Sequence, residues 1–367
     1  MHHWLRNLGL GLSAGLFALA VACQSSPGGE PDPVVGPGET GGGITYKPTP
    51  VALRQPANFP APVYDLANNP LTAEGIALGK TLFYDSRLSR DSTVNCGFCH
   101  QQFAAFAHSD HALSHGVDSR IGPRNVPGLQ NLAWSREFFW DGGVINLDEL
   151  PMAPIANPLE MDLKFADAVD RVRRTPSYAP LFKAAYGSDT VTTARFLKAI
   201  SQFMLTMVSA DSRYDKYARN EAGGELSPDE LAGLNVFRQQ CSACHATDLF
   251  TDHSYRNNGL PVSVSGDQGR FIITQQPADR LKFKVPSLRN VERTFPYMHD
   301  GRFLTLEQVL NHYAGGGVVD SPTLDPLLKK GAKPGIALTD TEKKQVIAFL
   351  KTLTDNTLLT NRALSPY

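Results

Sequence analysis

The sequence predicts a mainly α-helical fold with long loops, built as two tandem units. Three observations support this. Stretches at 70–83, 227–237 and 339–350 each carry a Thr or Ser in capping position, followed by apolar residues at three- and four-residue spacing. No stretch of the chain is rich in strand signals. A Cys-x-x-Cys-His string occurs twice, at Cys96-Gly97-Phe98-Cys99-His100 and at Cys241-Ser242-Ala243-Cys244-His245, 145 residues apart, which is about one domain length.

The elements in chain order fit a length of 367 residues, too long for one small core. Residues 1–22 read as an export signal. His2, His3 and Arg6 give a polar, basic start, and Leu8 to Ala22 form an uncharged run of 15 residues, short of the roughly 20 that a membrane span needs. His2 and His3 belong to that signal and carry no functional weight. The run ends in Leu19-Ala20-Val21-Ala22-Cys23, small residues leading to a cysteine, as in bacterial lipoprotein signals where the cysteine is acylated. The expected location is therefore the periplasm, with a membrane tether at lipidated Cys23. Residues 23–58, dense in Gly and Pro and without periodicity, read as a flexible tether. The folded units are then 59–215 and 216–367. With 35 basic against 36 acidic side chains the chain lacks the electrostatic footprint of a nucleic-acid binder.

The four cysteines after Cys23 are all used by the two strings, which leaves none for a disulfide framework. Two cysteines three apart on a helical turn can each add to one haem vinyl group, and the adjacent histidine then reaches the iron as proximal ligand. A single string is also compatible with a redox dithiol or a zinc half-site. Two of them in an exported chain point to two covalent haem c groups in two cytochrome c-like domains.

Further motifs follow: Gly122-Pro123-Arg124-Asn125-Val126-Pro127, Phe139-Trp140-Asp141-Gly142, Asn157-Pro158-Leu159-Glu160-Met161, Phe283-Lys284-Val285-Pro286-Ser287-Leu288-Arg289-Asn290-Val291 and Pro296-Tyr297-Met298-His299-Asp300-Gly301. In this order and spacing, over roughly residues 60–355, the chain resembles the bacterial dihaem cytochrome c peroxidase and MauG superfamily. The resemblance implies that peroxide reacts at the haem on His100 and that the haem on His245 stores electrons. It implies that Glu160 is the acid/base residue, and a carboxylate over the open iron face suits the proton transfers of O–O cleavage. Trp140 matches the aromatic residue between the two haems, although core packing is what most tryptophans do. Asn125, through its side chain, and Thr294 and Pro296, through their carbonyls, match the positions that hold a calcium ion.

The sixth ligand of the second haem sets the subtype. The peroxidases have a methionine fourteen residues after the histidine of the P-Y-x-H-x-G motif and MauG-like proteins a tyrosine; counting from His299, the residue here is Tyr313. A phenolate is a hard anionic donor that favours oxidised iron. His312 and Met298 are the competing candidates, and the plain alternative for Tyr313 is a helix residue with its hydroxyl at the surface. Two departures stand out. Leu150 occupies the position where many relatives have a glutamine. His115 lies near where the peroxidases place a removable distal histidine; it either blocks the resting His100 haem or is a solvated loop histidine beside His108 and His111. Arg124 and Arg289 are expected to fork onto haem propionates. His253, without an evident partner, is expected to be solvated.

The activity expected from the resemblance is reduction of hydrogen peroxide with electrons from a small redox protein, a c-type cytochrome or a cupredoxin. The alternatives are a MauG-like oxidase acting on Trp or Tyr of a partner protein, and a non-catalytic electron-transfer cytochrome.

Overall fold

The computed structural model describes residues 46–366, so the export signal, Cys23 and the expected tether up to residue 45 lie outside the described residues. The rest of that tether is not free. Tyr46 Oη donates to the Ala185 carbonyl at 2.7 Å, Thr49 binds Glu74 through both its amide and its hydroxyl, and Val51 N donates to Leu71 O at 2.9 Å. The glycines of the tether end at Gly43, and although Pro48, Pro50 and Pro56 continue the Pro-rich composition, the amides and side chains here find partners on the body.

Helices dominate, as expected, and the only extended pairing among named strands is a two-residue antiparallel rung, Tyr255–Arg256 against Phe283–Lys284. The three helices read from the sequence form at Ala73–Phe83, Pro228–Gln240 and Asp340–Lys351, capped by Thr72, Ser227 and Thr339. At Ser227 and Thr339 the cap is a reciprocal box with Glu230 and Glu342, which satisfies two of the amides a helix start leaves open.

One packing device appears twice. The 73–83 helix lies on Thr193–Leu205, and the 228–240 helix lies on 340–351. At each crossing a glycine meets a backbone carbonyl: a Cβ on Gly79 would sit 1.8 Å from Ala199 O, and one on Gly233 would sit 1.9 Å from Gln345 O. In both cases the phenylalanine four residues on, Phe203 or Phe349, closes the contact at 3.0 Å.

The buried apolar side chains fall into two clusters. One draws mainly on residues 59–210 with Leu249, Leu358 and Leu364 added; the other runs from Tyr214 to Leu353. Between them lies a buried polar seam. Arg289 and Asp215 are both fully buried and joined by a two-bond fork at 2.8 and 2.6 Å. Asn58 donates to the same Asp215, Gln130 donates to the Arg289 carbonyl at 2.7 Å, and Asn290 bonds Gln130 and Ser209. Arg289 is therefore spent on Asp215 and on the Asp248 carbonyl, with no guanidinium nitrogen left over for the expected propionate fork. The sequence pattern could not show that a buried carboxylate 74 residues upstream claims the guanidinium first.

Candidate active site

Both Cys-x-x-Cys-His strings adopt the same short turn. In the first, Asn95 caps Cys96–Cys99 by accepting from Phe98 N at 3.0 Å, and His100 N donates to Cys96 O at 2.8 Å. In the second, the turn follows directly on the 228–240 helix, and His245 N donates to Cys241 O at 2.9 Å. All four cysteines are free of disulfides. Burial pushes the thiols of Cys96, Cys99 and Cys241 up to about 12, the opposite of a redox-active dithiol, whose nucleophile needs a depressed value.

The two histidines are set up alike. His100 Nδ1 bonds the Phe106 carbonyl at 2.7 Å, and His245 Nδ1 bonds the carbonyls of Phe250 and Pro286 at 3.1 and 3.2 Å. A carbonyl only accepts, so Nδ1 carries the proton and Nε2 is left as a bare lone pair. Burial pulls His100 down to about 4 and lowers His245 as well, which keeps both imidazoles neutral and ready to ligate. Both histidines and all four cysteines line one continuous cavity of about 980 Å³, and this donor set fits two covalent haem c groups.

Glu160 and Trp140 also line that cavity. Glu160 sits near the Cys96 and Cys99 thiols; burial raises its carboxyl above the usual range, and a 2.8 Å hydrogen bond from Asn157 Nδ2 to Oε1 partly opposes the rise. Its backbone is gripped by the 116–117 loop: Val117 N donates to Glu160 O at 2.8 Å, and a Cβ on Gly116 would come within 2.5 Å of Glu160 Cα. Trp140 is pinned at both ends of the residue. Its Nε1 donates to Asn125 O at 2.9 Å and its carbonyl accepts from Lys284 N at 2.7 Å.

Asn125, Thr294 and Pro296 share the cavity wall. The Asn125 amide nitrogen donates to the Ala112 and His111 carbonyls, so Oδ1 is the atom left to face a cation. Among the described residues no group of three or more His, Cys, Asp or Glu side chains gathers to hold a metal ion. A calcium ion at Asn125 would thus rest on amide, carbonyl and water oxygens.

Tyr313 is deeply placed at the other end of the cavity, with its hydroxyl accepting from Asn258 Nδ2 at 3.3 Å and the Cys241 and Cys244 thiols nearby. Burial pushes the phenol up to about 12, and a surface hydroxyl is excluded. Its competitor His312 is occupied by backbone on both sides, with Nε2 against Asn258 O at 3.0 Å and Gly317 at the other nitrogen. Met298 also lines the cavity, its sulfur accepting from the same Asn258 amide at 3.6 Å.

Several expectations change. His115 is not among the cavity-lining residues; its ring packs against those of His111 and His108, with ring centres 4.6 and 6.4 Å away, while its carbonyl accepts from Cys99 Sγ at 3.5 Å. Arg124 does line the cavity but is spent on Asp267, through two bonds at 2.6 and 2.9 Å, and on Asp141 at 2.5 Å. His253 is no solvated loop residue, because its Nε2 is buried without a partner and its side chain lines the cavity. Leu150 occupies the wall as a buried apolar side chain. Sequence reasoning missed the supporting roles of Asn157, Asn258 and Lys284. Two of them stand inside motifs already singled out, beside Glu160 and Arg289, where attention goes to the more reactive neighbour.

Comparison with known proteins gives a consistent picture. The profile of the family described as "Di-haem cytochrome c peroxidase" matches residues 73–223. The methylamine utilization protein MauG of Methylorubrum extorquens is 36% identical over 310 residues, covering 82% of this chain and 83% of that protein. A cytochrome c551 peroxidase of Nitrosomonas europaea is also 36% identical, over 293 residues, covering 78% and 82%. Among solved structures, a MauG-like protein associated with microbial copper homeostasis superposes with a TM-score of 0.77 at 32% identity, covering 86% of this chain and 99% of that one.

Proposed function

The chain belongs to the dihaem cytochrome c peroxidase and MauG superfamily, and from that premise we propose that it reduces hydrogen peroxide to water at the His100 end of the cavity, with electrons entering at the His245 end from a small redox protein. Two haem c groups, which the family implies, supply the redox chemistry at iron when bound. Cys96, Cys99 and His100 would hold one, and Cys241, Cys244 and His245 the other.

The observation that carries the reading is Glu160: a deeply set carboxyl in the His100 half of the cavity, with one oxygen fixed by Asn157 and the other left for proton transfer. In its ionised form it takes a proton from the near oxygen of the peroxide, and in its protonated form it returns that proton to the leaving oxygen. Trp140, held between Asn125 and Lys284, is a rigid aromatic bridge suited to passing electrons between the two ends. Glu160→Gln keeps shape and burial but cannot shuttle a proton. Steady-state peroxide consumption with a reduced c-type cytochrome falls by about 10²–10⁴ in that variant, the usual worth of a general acid/base; equal rates in variant and parent would sink the proposal.

A second reading, oxidation of Trp or Tyr in a partner protein, is favoured by Tyr313, whose buried hydroxyl stands beside Cys241 and Cys244. On this reading peroxide added to the oxidised protein gives a long-lived absorbance change that Tyr313→Phe abolishes; persistence in the variant rules the tyrosine out as ligand. The two 36% relatives carry one name from each side of this choice.

Two smaller proposals complete the picture. Asn125 Oδ1 with the Thr294 and Pro296 carbonyls binds one calcium ion, which metal analysis of the purified holoprotein checks. Lipidated Cys23 tethers the protein to a membrane facing the periplasm, and Cys23→Ser then moves it from the membrane to the soluble fraction.

A further inference from the structure

Two basic side chains of the cavity lining, His253 and Lys284, are not matched by a carboxylate hydrogen bond. His253 sits on a left-handed turn at φ 57°, its amide held by Thr251 Oγ1 at 2.9 Å, with Nε2 buried and without a hydrogen-bond partner. Lys284 faces the same cavity and donates from Nζ to the Glu137 carbonyl at 2.7 Å rather than to a carboxylate. The two are close enough that the lysine charge disfavours protonation of the histidine. Burial pulls the imidazole down to about 4 and the ammonium to about 8. A buried imidazole nitrogen without a partner is costly, and the charges of Glu137 and Asp141 offset the burial of the Lys284 ammonium only in part, so a partner for both is expected on the molecule that fills the cavity.

The arginines of this wall are already committed, Arg124 to Asp141 and Asp267 and Arg256 to Asp252 and Asp325, which leaves Lys330 as the other lysine of the lining; Arg289, outside the lining, is held by Asp215. His299, whose Nε2 is also unpartnered, stacks on Phe283 with ring centres 3.7 Å apart and is surrounded by both signs of charge: Asp267, Asp300, Arg124 and Arg302. The backbone ties the His253 and Lys284 pair to the second haem site. Val285 N donates to Ser254 O at 2.8 Å, Thr251 Oγ1 donates to Val285 O at 2.6 Å, and the next residue, Pro286, supplies a carbonyl that orients His245. A haem is apolar apart from its two propionates, which are the only anions it brings.

We propose that His253 and Lys284 form a carboxylate cradle for a propionate of the haem carried by Cys241 and Cys244, with His253 Nε2–H donating to the carboxylate and the Lys284 ammonium pairing with it. This rests on the reading that those cysteines carry a haem c. It replaces the two arginines that the motif pattern favours. The cradle is also one hydrogen bond from Trp140, since Lys284 N donates to the Trp140 carbonyl. Charge compensation of the propionate and the path between the two ends are thus set by one residue.

The test is a spectroelectrochemical titration of the holoprotein, reading each haem separately. An uncompensated propionate anion stabilises ferric iron, so His253→Leu lowers the ferrous-to-ferric ratio of the His245 haem about tenfold at a fixed applied potential, equivalent to 59 mV for one electron. His253→Gln, which keeps an N–H donor, recovers most of that shift and guards against a folding defect in the leucine variant. Lys284→Met moves the same haem in the same direction, and the double variant shifts less than the sum, because both donors act on one carboxylate. The propionate bending band in the resonance Raman spectrum moves in parallel. An unchanged potential at full haem content, a shift confined to the His100 haem, or strict additivity would overturn the cradle. A haem count of one per chain would instead overturn the reading on which it rests.

Discussion

Glu160 illustrates what a single residue owes to its surroundings. The sequence marks it only through its motif. Burial then raises its carboxyl above the usual range, and Asn157 opposes the rise by hydrogen bonding the charged form. The sign of the pH dependence follows. The ionised form takes the first proton, so peroxide turnover rises with pH through the raised value, and this limb of the pH–rate profile disappears in Glu160→Gln. For stability the direction is reversed. A carboxyl whose folded value is raised contributes stability below its unfolded value, and that contribution is lost as pH rises through the folded one. Comparing pH profiles of activity and of chemical unfolding in parent and variant separates the two effects. Tyr313 and His312 show the same dependence on context. They are adjacent in sequence, and the motif count that favours Tyr313 leaves His312 as a competitor; in the structure Tyr313 lines the cavity while both nitrogens of the His312 ring bond backbone.

At the scale of elements, the two helix crossings are the clearest structural signature. Gly79 against Ala199 and Gly233 against Gln345 let one helix backbone touch the carbonyl of another, which no side chain permits at 1.8–1.9 Å. Gly→Ala normally stabilises a helix by up to about 1 kcal/mol. Here the clash is with backbone, which cannot swing aside, so Gly233→Ala and Gly79→Ala each destabilise by about 1–3 kcal/mol as the helices are forced apart. Urea unfolding of the holoprotein measures this, and a gain in stability would refute the close-contact account. The helices and their caps were legible because Thr72, Ser227 and Thr339 act within three residues of themselves. The tether boundary was not, because Tyr46 and Thr49 are ordered by Ala185 and Glu74, which are far away in sequence.

For the whole molecule, the seam around Arg289 and Asp215 joins the two apolar clusters. Burial alone would push the Asp215 carboxyl up; the Arg289 fork, with Ser212 and Asn58, outweighs it and leaves the carboxyl below the usual range. A depressed carboxyl adds stability above its unfolded value and loses it as pH falls through the folded one. Asp215→Ala strands a fully buried guanidinium and costs about 3–5 kcal/mol. In thermal unfolding the variant melts well below the parent at neutral pH, and the gap narrows in acid as the parent's own carboxyl is protonated.

The sequence by itself determined the helical class, the two Cys-x-x-Cys-His strings and the superfamily, because these depend on spacing within a few residues or on motifs that keep their order along the chain. Only the tertiary structure decided which charged groups remain free. Arg124 and Arg289 look available in the motif and are consumed by Asp267, Asp141 and Asp215, while His253 and Lys284 look incidental and join the cavity lining without a carboxylate hydrogen bond. The reason is physical: a buried charge takes the nearest counter-charge in space, and nearness in space across 70 to 140 residues of chain is set by the packing of helices and loops.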